Sequence, residues 1–389
     1  MTLQIQGRRY DTGEPIRVTI EGERIAAIEP AWPAGSLEEW PYVAPGLFDL
    51  QINGHGGVWF SQDGLTPDDV FDILEPHFRF GVTRLCPTLI TNSFDALAAG
   101  FRAVREACER EDWVAKMVPG CHLEGPYLST EDGPRGAHPI EHVRAADWDE
   151  FCRLQDISGG RIRLVTLAPE ADGAVEFIDR AVESGVVVSI GHTGANAEQI
   201  EAAVSAGARL STHLGNGAHG TLRRHPNYIW DQLGHPRLTS SIITDGHHLP
   251  PSVVRSVIGA KSPRNTIITC DAAGLAGCPP GEYEHGSLKV EILEDGRIVI
   301  AGQRQLLAGS SLSTDRCVAN AVAFGGVSLE DAIDMAGRNP AGSLGFEQIA
   351  LRRGSRADVM QFDWEPGTEL QIQATVAAGR LRFGTIRSL

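Results

Sequence analysis

Lysine is scarce in this chain of 389 residues. Only three occur, at 116, 261 and 289, and none closes a strand-like run. Strand ends therefore offer no lysine as a bridging or nucleophilic group. The seven cysteines are scattered and odd in number, with no C-x-x-C pair. That pattern excludes a disulfide frame and a zinc knuckle, and it fits reduced thiols. No apolar stretch approaches the ~18 residues of a membrane span. The opening MTLQIQGRRYDTGEP has no apolar signal region, so a cytoplasmic protein with no membrane partner is expected. Positive charge is also short. The net charge of -16 makes nucleic acid a poor partner, while a few local arginines are still enough for a small anion. No GxxxxGK[ST] sequence appears at a strand end, which weakens a nucleotide-binding reading. An H-x-H metal pair is missing too: DLQINGHGG (49–57) has Gln51 and Asn53 where two histidines would stand.

The two ends of the chain share one texture. LQIQG and IRVTIEGERIAAIEP near the start, and ADVMQFDW and LQIQATVAAGRLRF near the end, alternate like edge-type antiparallel strands. A small β-sandwich built from 1–43 and 346–389 is expected. Between them, 44–345 alternates strand and helix. Short apolar, β-branched runs cover 44–52, 81–90, 118–125, 161–170, 186–193, 208–216, 239–246 and 265–272. Helical periodicity fills several gaps, as in DDVFDILEPHFRF, FDALAAGFRAVREACER, GAVEFIDRAVES and AEQIEAAVSAG. Eight such units fit an α/β fold of the (β/α)8 TIM-barrel type, and an open doubly wound sheet gives much the same pattern.

Catalytic groups in such barrels come from the C-terminal ends of strands. Read in order, those ends give Gln51 and Asn53, Thr88, His122 and Glu124, Glu170, His192, His213 and Asn216, Asp245 and His248, and Asp271. A single histidine at a strand end is usually structural. Glu124, His192 and His213 on separate strands, followed by Asp271, form a pattern that chance pairing explains poorly. Two imidazoles and a carboxylate suit zinc with a position left open for water, and the nearby aspartate suits a general base.

HLEGPYLS (122–129), SIGHTGAN (189–196), STHLGNGA (211–218), IITDGHHL (242–249) and TCDAAGLAG (269–277) follow in order, with LAGSSLS (307–313) and NPAGSLG (339–345) after them. Together they resemble the N-acetylglucosamine-6-phosphate deacetylases of the amidohydrolase superfamily, over about residues 44–362. The resemblance implies a TIM-type barrel beside a small β-sandwich, a homodimer with the active site at the subunit interface, and release of acetate from an N-acetylated sugar phosphate. It implies metal ligands Glu124, His192 and His213, catalytic Asp271, and His138 on the substrate carbonyl. It also implies sugar-phosphate contacts at Asn216, Gly217, Arg224 and His248, the last two reaching the neighbouring subunit's pocket. Beyond His213, GNGAHGTLRRHPNYIW departs from the family's usual text, so Arg223 competes with Arg224 for that role. Some superfamily relatives bridge two metals with a carboxylated lysine, and no lysine here stands in place for one. Gln51 and Asn53 are weak metal ligands, able to hydrogen-bond a water or each other. They read as the remnant of a second metal site. One divalent ion per chain is expected, with zinc favoured and iron, cobalt or nickel compatible. His55 reads as a loop or pocket-wall residue. An N-acetylgalactosamine 6-phosphate deacetylase, a deacetylase for an unphosphorylated N-acyl compound, and a non-catalytic scaffold are the other readings.

Overall fold

A computed structural model describes residues 2–32, 35–285 and 288–387. Eight parallel strands run Leu47–Ile52, Val82–Ile90, Cys121–Glu124, Ile162–Leu167, Val187–Ile190, Leu210–Ser211, Thr239–Ile243 and Thr266–Thr269. Each pairs with its neighbour in chain order. Every residue of Leu47–Ile52 is buried, because helices cover the sheet outside and side chains fill it inside. The helix Phe94–Arg110 turns Leu97, Phe101, Val104 and Cys108 inward at three- and four-residue steps, and Ser93 caps its start. The helical stretch expected from Asp68 to Phe80 is shorter: an α-helix spans Pro67–Leu74, and Glu75–Phe80 continues as a 3-10 turn. Pro76 explains the change, since it has no N–H to give and crowds the preceding turn.

The barrel closes at a seam between its first and eighth strands. Ile52 bridges Ala272 in parallel, and Asn53 N–H donates to the Ala272 carbonyl at 2.8 Å. Buried Asp49 completes the seam. Its carboxylate accepts from Thr269 Oγ1 at 2.5 Å, the Cys270 N–H at 2.9 Å, Thr314 Oγ1 at 2.8 Å and its own strand's Gln51 N–H at 3.0 Å. Burial raises this carboxyl's pKa despite those hydrogen bonds. The result is a barrel, not an open sheet.

Both termini enter one seven-stranded sheet. At its centre Tyr42–Pro45 pairs with Thr2–Arg9 on one side and Val359–Asp363 on the other. The first barrel strand was expected to start at 44, but residues 42–45 belong to the terminal sheet. The chain changes sheets at Gly46, where an added Cβ would lie 2.3 Å from the Thr83 side chain. A further four-stranded antiparallel sheet spans Gly281–Leu307, between the eighth barrel strand and the helix Thr314–Gly325. Its Val290, Ile292 and Ile298 pack with Trp59, Ala273 and Leu275. Asp295-Gly296 between two alternating runs is the hairpin cue that marks it. Among the described residues, no helix is long and apolar enough to cross a membrane.

Candidate metal centre

Glu124 is the last residue of the third strand, while His192, His213 and Asp271 each lie two residues beyond theirs. Those three have positive φ, at 50°, 29° and 51°, among five such non-glycine residues described. Left-handed backbone costs on the order of 1–3 kcal/mol per residue and persists where neighbours enforce it. Here they do. Ser129 N–H holds the His192 carbonyl at 3.0 Å, and Ser310 N–H holds that of Asp271 at 3.0 Å. The His213 N–H donates to Ser241 Oγ at 2.7 Å, and Asn216 Nδ2 donates to the His213 carbonyl at 3.1 Å. The bend after each strand swings the side chain over the mouth of the barrel.

Those side chains converge. Glu124 Oε1 lies 3.1 Å from His213 Nε2 and 3.3 Å from His192 Nε2, and the two nitrogens are 3.1 Å apart. The three ligand-type atoms all lie within 4.8 Å of one another, the one such His/Cys/Asp/Glu group among the described residues. His192 Nδ1 is 3.0 Å from the Pro134 carbonyl, which can only accept. A proton therefore sits on Nδ1, and Nε2 is the nitrogen turned toward the group. His213 Nδ1 is buried without a hydrogen-bond partner in the structure. Burial pulls His213 down, and the Glu124 carboxylate more than reverses it, so the pKa is raised. Burial likewise pushes Glu124 up, but His192 and His213 hold it well below the usual carboxylate range. A carboxylate and two imidazole nitrogens that together favour positive charge fit a divalent cation.

Asp271 is buried beside this group. Burial, then the charge of Glu124, raises its pKa to about 7, with His213 and His248 pulling the other way. Gln51 and Asn53 do not bond each other. Gln51 Nε2 donates to Glu124 Oε1 at 2.9 Å, and Asn53 Nδ2 donates to Asp271 Oδ1 at 2.7 Å. Each amide therefore presents N–H to an acidic group of the site, where a metal-binding imidazole would present a lone pair.

His138 Nε2 sits 3.2 Å from His192 Nε2, and its Nδ1 sits 2.8 Å from Thr91 Oγ1. Burial keeps it neutral, its pKa lowered to about 3. Gly217 packs on His192: at φ 55°, an added Cβ would lie 2.7 Å from His192 Nδ1. His248 Nδ1 is 2.7 Å from Asp245 Oδ2. Arg223 and Arg224 are both exposed on the loop after Asn216, and neither side chain has a hydrogen bond or ion pair among the described residues. The structure of one chain therefore does not bring Arg224 into the metal group. His55 stacks edge-on to His77 and Phe80, as a wall residue would. His219, given no role from sequence, spans Glu131 Oε2 and the Tyr228 hydroxyl at 2.9 Å each. Thr91, Pro134 and Ser241 were missed. The one trace of Thr91 in the sequence is a polar residue just after the apolar run that ends at Ile90.

The Amidohydrolase family profile matches residues 42–381. An N-acetylgalactosamine-6-phosphate deacetylase of Escherichia coli O157:H7 is 34% identical over 370 residues, covering 93% of this chain and 96% of that protein. The N-acetylglucosamine-6-phosphate deacetylase of Homo sapiens is 33% identical over 353 residues, covering 87% and 83%. A mutant N-acetyl-D-glucosamine-6-phosphate deacetylase of Mycobacterium smegmatis, solved with N-acetyl-D-glucosamine-6-phosphate, superposes with a TM-score of 0.86. It is 30% identical, with 97% of this chain and 99% of that chain covered.

Proposed function

The chain belongs to the amidohydrolase family, and from that premise we propose that it hydrolyses the N-acetyl amide of an amino sugar 6-phosphate, N-acetylglucosamine 6-phosphate first. The observation that carries the reading is buried Asp271 beside the Glu124, His192 and His213 group. It unites a general base with a metal site in a chain whose relatives are sugar-phosphate deacetylases.

Glu124, His192 and His213 would hold a divalent cation, which would supply Lewis acidity toward the amide carbonyl and an acidified water. Zinc suits this ligand set best. Asp271, aimed by Asn53, takes the proton of the attacking water at its carboxylate. It then gives that proton to the amide nitrogen, which must be protonated to leave. His138 donates from Nε2 to the carbonyl oxygen as negative charge builds there. Acetate and a free amino sugar result. Asn216 and the Gly217 N–H contribute sugar-phosphate contacts from the loop that follows His213, and His248 contributes another in the neighbouring subunit's pocket. In the homodimer proposed here, Arg224, or Arg223 beside it, meets the phosphate in the neighbouring pocket. A cytoplasmic enzyme fits the free thiols.

The 34% identity to the Escherichia coli protein favours one second reading, N-acetylgalactosamine 6-phosphate as substrate. Acetate release from both sugar phosphates, their unphosphorylated forms and N-acetyl amino acids tests the proposal. The highest kcat/KM is expected on N-acetylglucosamine 6-phosphate. Equal rates without phosphate would remove the phosphate from the substrate. No release from any of them, with no stoichiometric metal, would leave a non-catalytic barrel.

A further inference from the structure

We propose that His219 is a positioning residue: it ties the base of the loop that presents Arg223 and Arg224, and so sets the preference for a phosphorylated substrate over its unphosphorylated form. That role rests on the deacetylase reading and deepens it at the phosphate.

Residues 212–227 join the sixth strand to the helix Tyr228–Gly234 as an irregular loop. Irregular loops of that length are uncommon in compact domains, and those that are ordered are usually functional. Backbone pairing does not hold this one. Among the described residues, no N–H from 217 to 227 donates to a backbone carbonyl. Side chains take over at two points. At the base, the hydroxyl of Tyr228 accepts from the His219 N–H at 2.8 Å and lies 2.9 Å from His219 Nδ1. Nearer the arginines, Asn227 Nδ2 donates to the Arg223 carbonyl at 2.9 Å, while its Oδ1 caps the helix through the N–H groups of Ile229 and Trp230. Arg223 and Arg224 thus lie inside a segment whose ends, His219 and Tyr228, are pinned together, as in compact surface loops.

The pin is set in the core. Tyr228 is 5% exposed and packs in the main apolar cluster. His219 also reaches the loop after the third strand, which carries His138, with Nε2 2.9 Å from Glu131 Oε2. That carboxylate is 66% exposed, so water screens the contact and it adds little. Position 133 lets the two loops close: a Cβ there would lie 2.9 Å from His219 Cα, and Gly133 supplies none. The pin holds in either charge state of the ring. A neutral imidazole takes the tyrosine's proton at Nδ1, and an imidazolium donates from Nδ1 to the tyrosine's oxygen.

The side chains of Arg223 and Arg224 are unpaired among the described residues and so are free for an anion. A guanidinium on a fixed loop gives up less conformational freedom on meeting a phosphate than one on a loose loop. Pinning the base therefore strengthens phosphate binding and leaves the amide chemistry at Asp271 alone. His219 acts through the arginines.

The test uses the metal-loaded protein and the variants His219→Phe, which keeps a ring without its nitrogens, Tyr228→Phe, which removes the hydroxyl, and the two together. Each single variant is expected to raise KM for N-acetylglucosamine 6-phosphate about five- to twentyfold, with kcat near native and KM for N-acetylglucosamine unchanged. The double variant should be no worse than Tyr228→Phe, because the two residues share one contact. His219→Asn, whose amide reaches the place of Nδ1, should recover much of the affinity. In hydrogen exchange the native His219 N–H should be protected, and Tyr228→Phe should expose it. An unprotected native N–H overturns the proposal. So do a native enzyme indifferent to the phosphate, equal weakening on both sugars, a fall in kcat in place of the rise in KM, and a double variant whose losses add. If the native protein hydrolyses no N-acetyl sugar, the deacetylase reading fails by itself. Inorganic phosphate titrated into the native and His219→Phe proteins then decides: weaker binding by the variant supports the role of His219, and equal or absent binding overturns it. If Tyr228→Phe does not fold, His219→Phe and His219→Asn decide it.

Discussion

Asp271 answers to two opposed demands. It must be unprotonated to accept a proton from water, yet burial and the charge of Glu124 raise its pKa to about 7. A cation among Glu124, His192 and His213 would oppose both effects and draw it down. The acid limb of kcat/KM is therefore expected below pH 7. Activity is present above that pKa and is lost as pH falls through it, which a pH–rate profile of the metal-loaded enzyme checks. Asp271→Asn is expected to cost about 10²–10⁴ in kcat with metal still bound, since its carboxylate stands outside the ligand group. Near-normal turnover would remove Asp271 from the mechanism. His213 gives a second pH effect. Its pKa is raised in the metal-free protein, so protons compete with the cation from above the ordinary imidazole range downward. Chelator competition at a series of pH values should show affinity falling as the pH drops through neutrality. A flat profile would mean that His213 binds no metal. Glu124, His192, His213 and Asp271 were legible because each closes an apolar run. The partners of Gln51 and Asn53 were not: they lie 73 and 218 residues away, and only the fold aims those amides.

Between elements, polar side chains settle what hydrophobic periodicity leaves open. The strand pattern alone allowed a barrel or an open sheet, and Asp49 joins the first strand to the eighth by taking hydrogen bonds from Thr269, Cys270 and Thr314. A buried acid inside an apolar strand gives no sign in the sequence of which distant groups it will meet. Lys261 has a comparable part. Its ammonium donates at 2.8 Å to the carbonyls of Gln232, His235 and Leu238, collecting the end of the helix Tyr228–Gly234 and the turn after it. Burial lowers its pKa to about 8. The sheet from Gly281 to Leu307 was missed because its strands are short and partly polar, unlike the buried runs of the barrel. Asp49→Ala strands several buried donors at once, at about 1–3 kcal/mol for each that finds no new partner. A clear drop in the urea midpoint is expected, together with faster hydrogen exchange at the N–H groups of Asn53 and Cys270. An unchanged midpoint would show that backbone pairing alone closes the seam.

Across the whole molecule, the metal group and the terminal sheet engage different parts of the barrel. The ligands gather at the C-terminal ends of the strands. Arg84 lies near the start of the second strand, where its guanidinium meets Asp358 at 3.0 Å and the Glu347 carbonyl at 2.6 Å. Asp358 in turn accepts from Arg356 and from the Ala378 N–H at 2.9 Å. The two charges are 3% and 0% exposed, so this is an ion pair withdrawn from water and held by additional hydrogen bonds. Such a pair can add little net stability over an apolar contact, yet breaking it is costly because the remaining charge stays buried. The alternating termini announced a shared β unit, but not the charge that docks it, since Arg84 and Asp358 are 274 residues apart. Arg84→Met is expected to cost about 3 kcal/mol, with Arg356 limiting the loss. Well below the melting temperature, metal stoichiometry and KM should stay at native values, because the break lies at the opposite end of the barrel from Glu124, His192 and His213. Denaturation followed in parallel with metal analysis checks both halves of that expectation. A folded Arg84→Met protein that had lost its metal would show that the docking of the terminal sheet and the metal group are mechanically coupled.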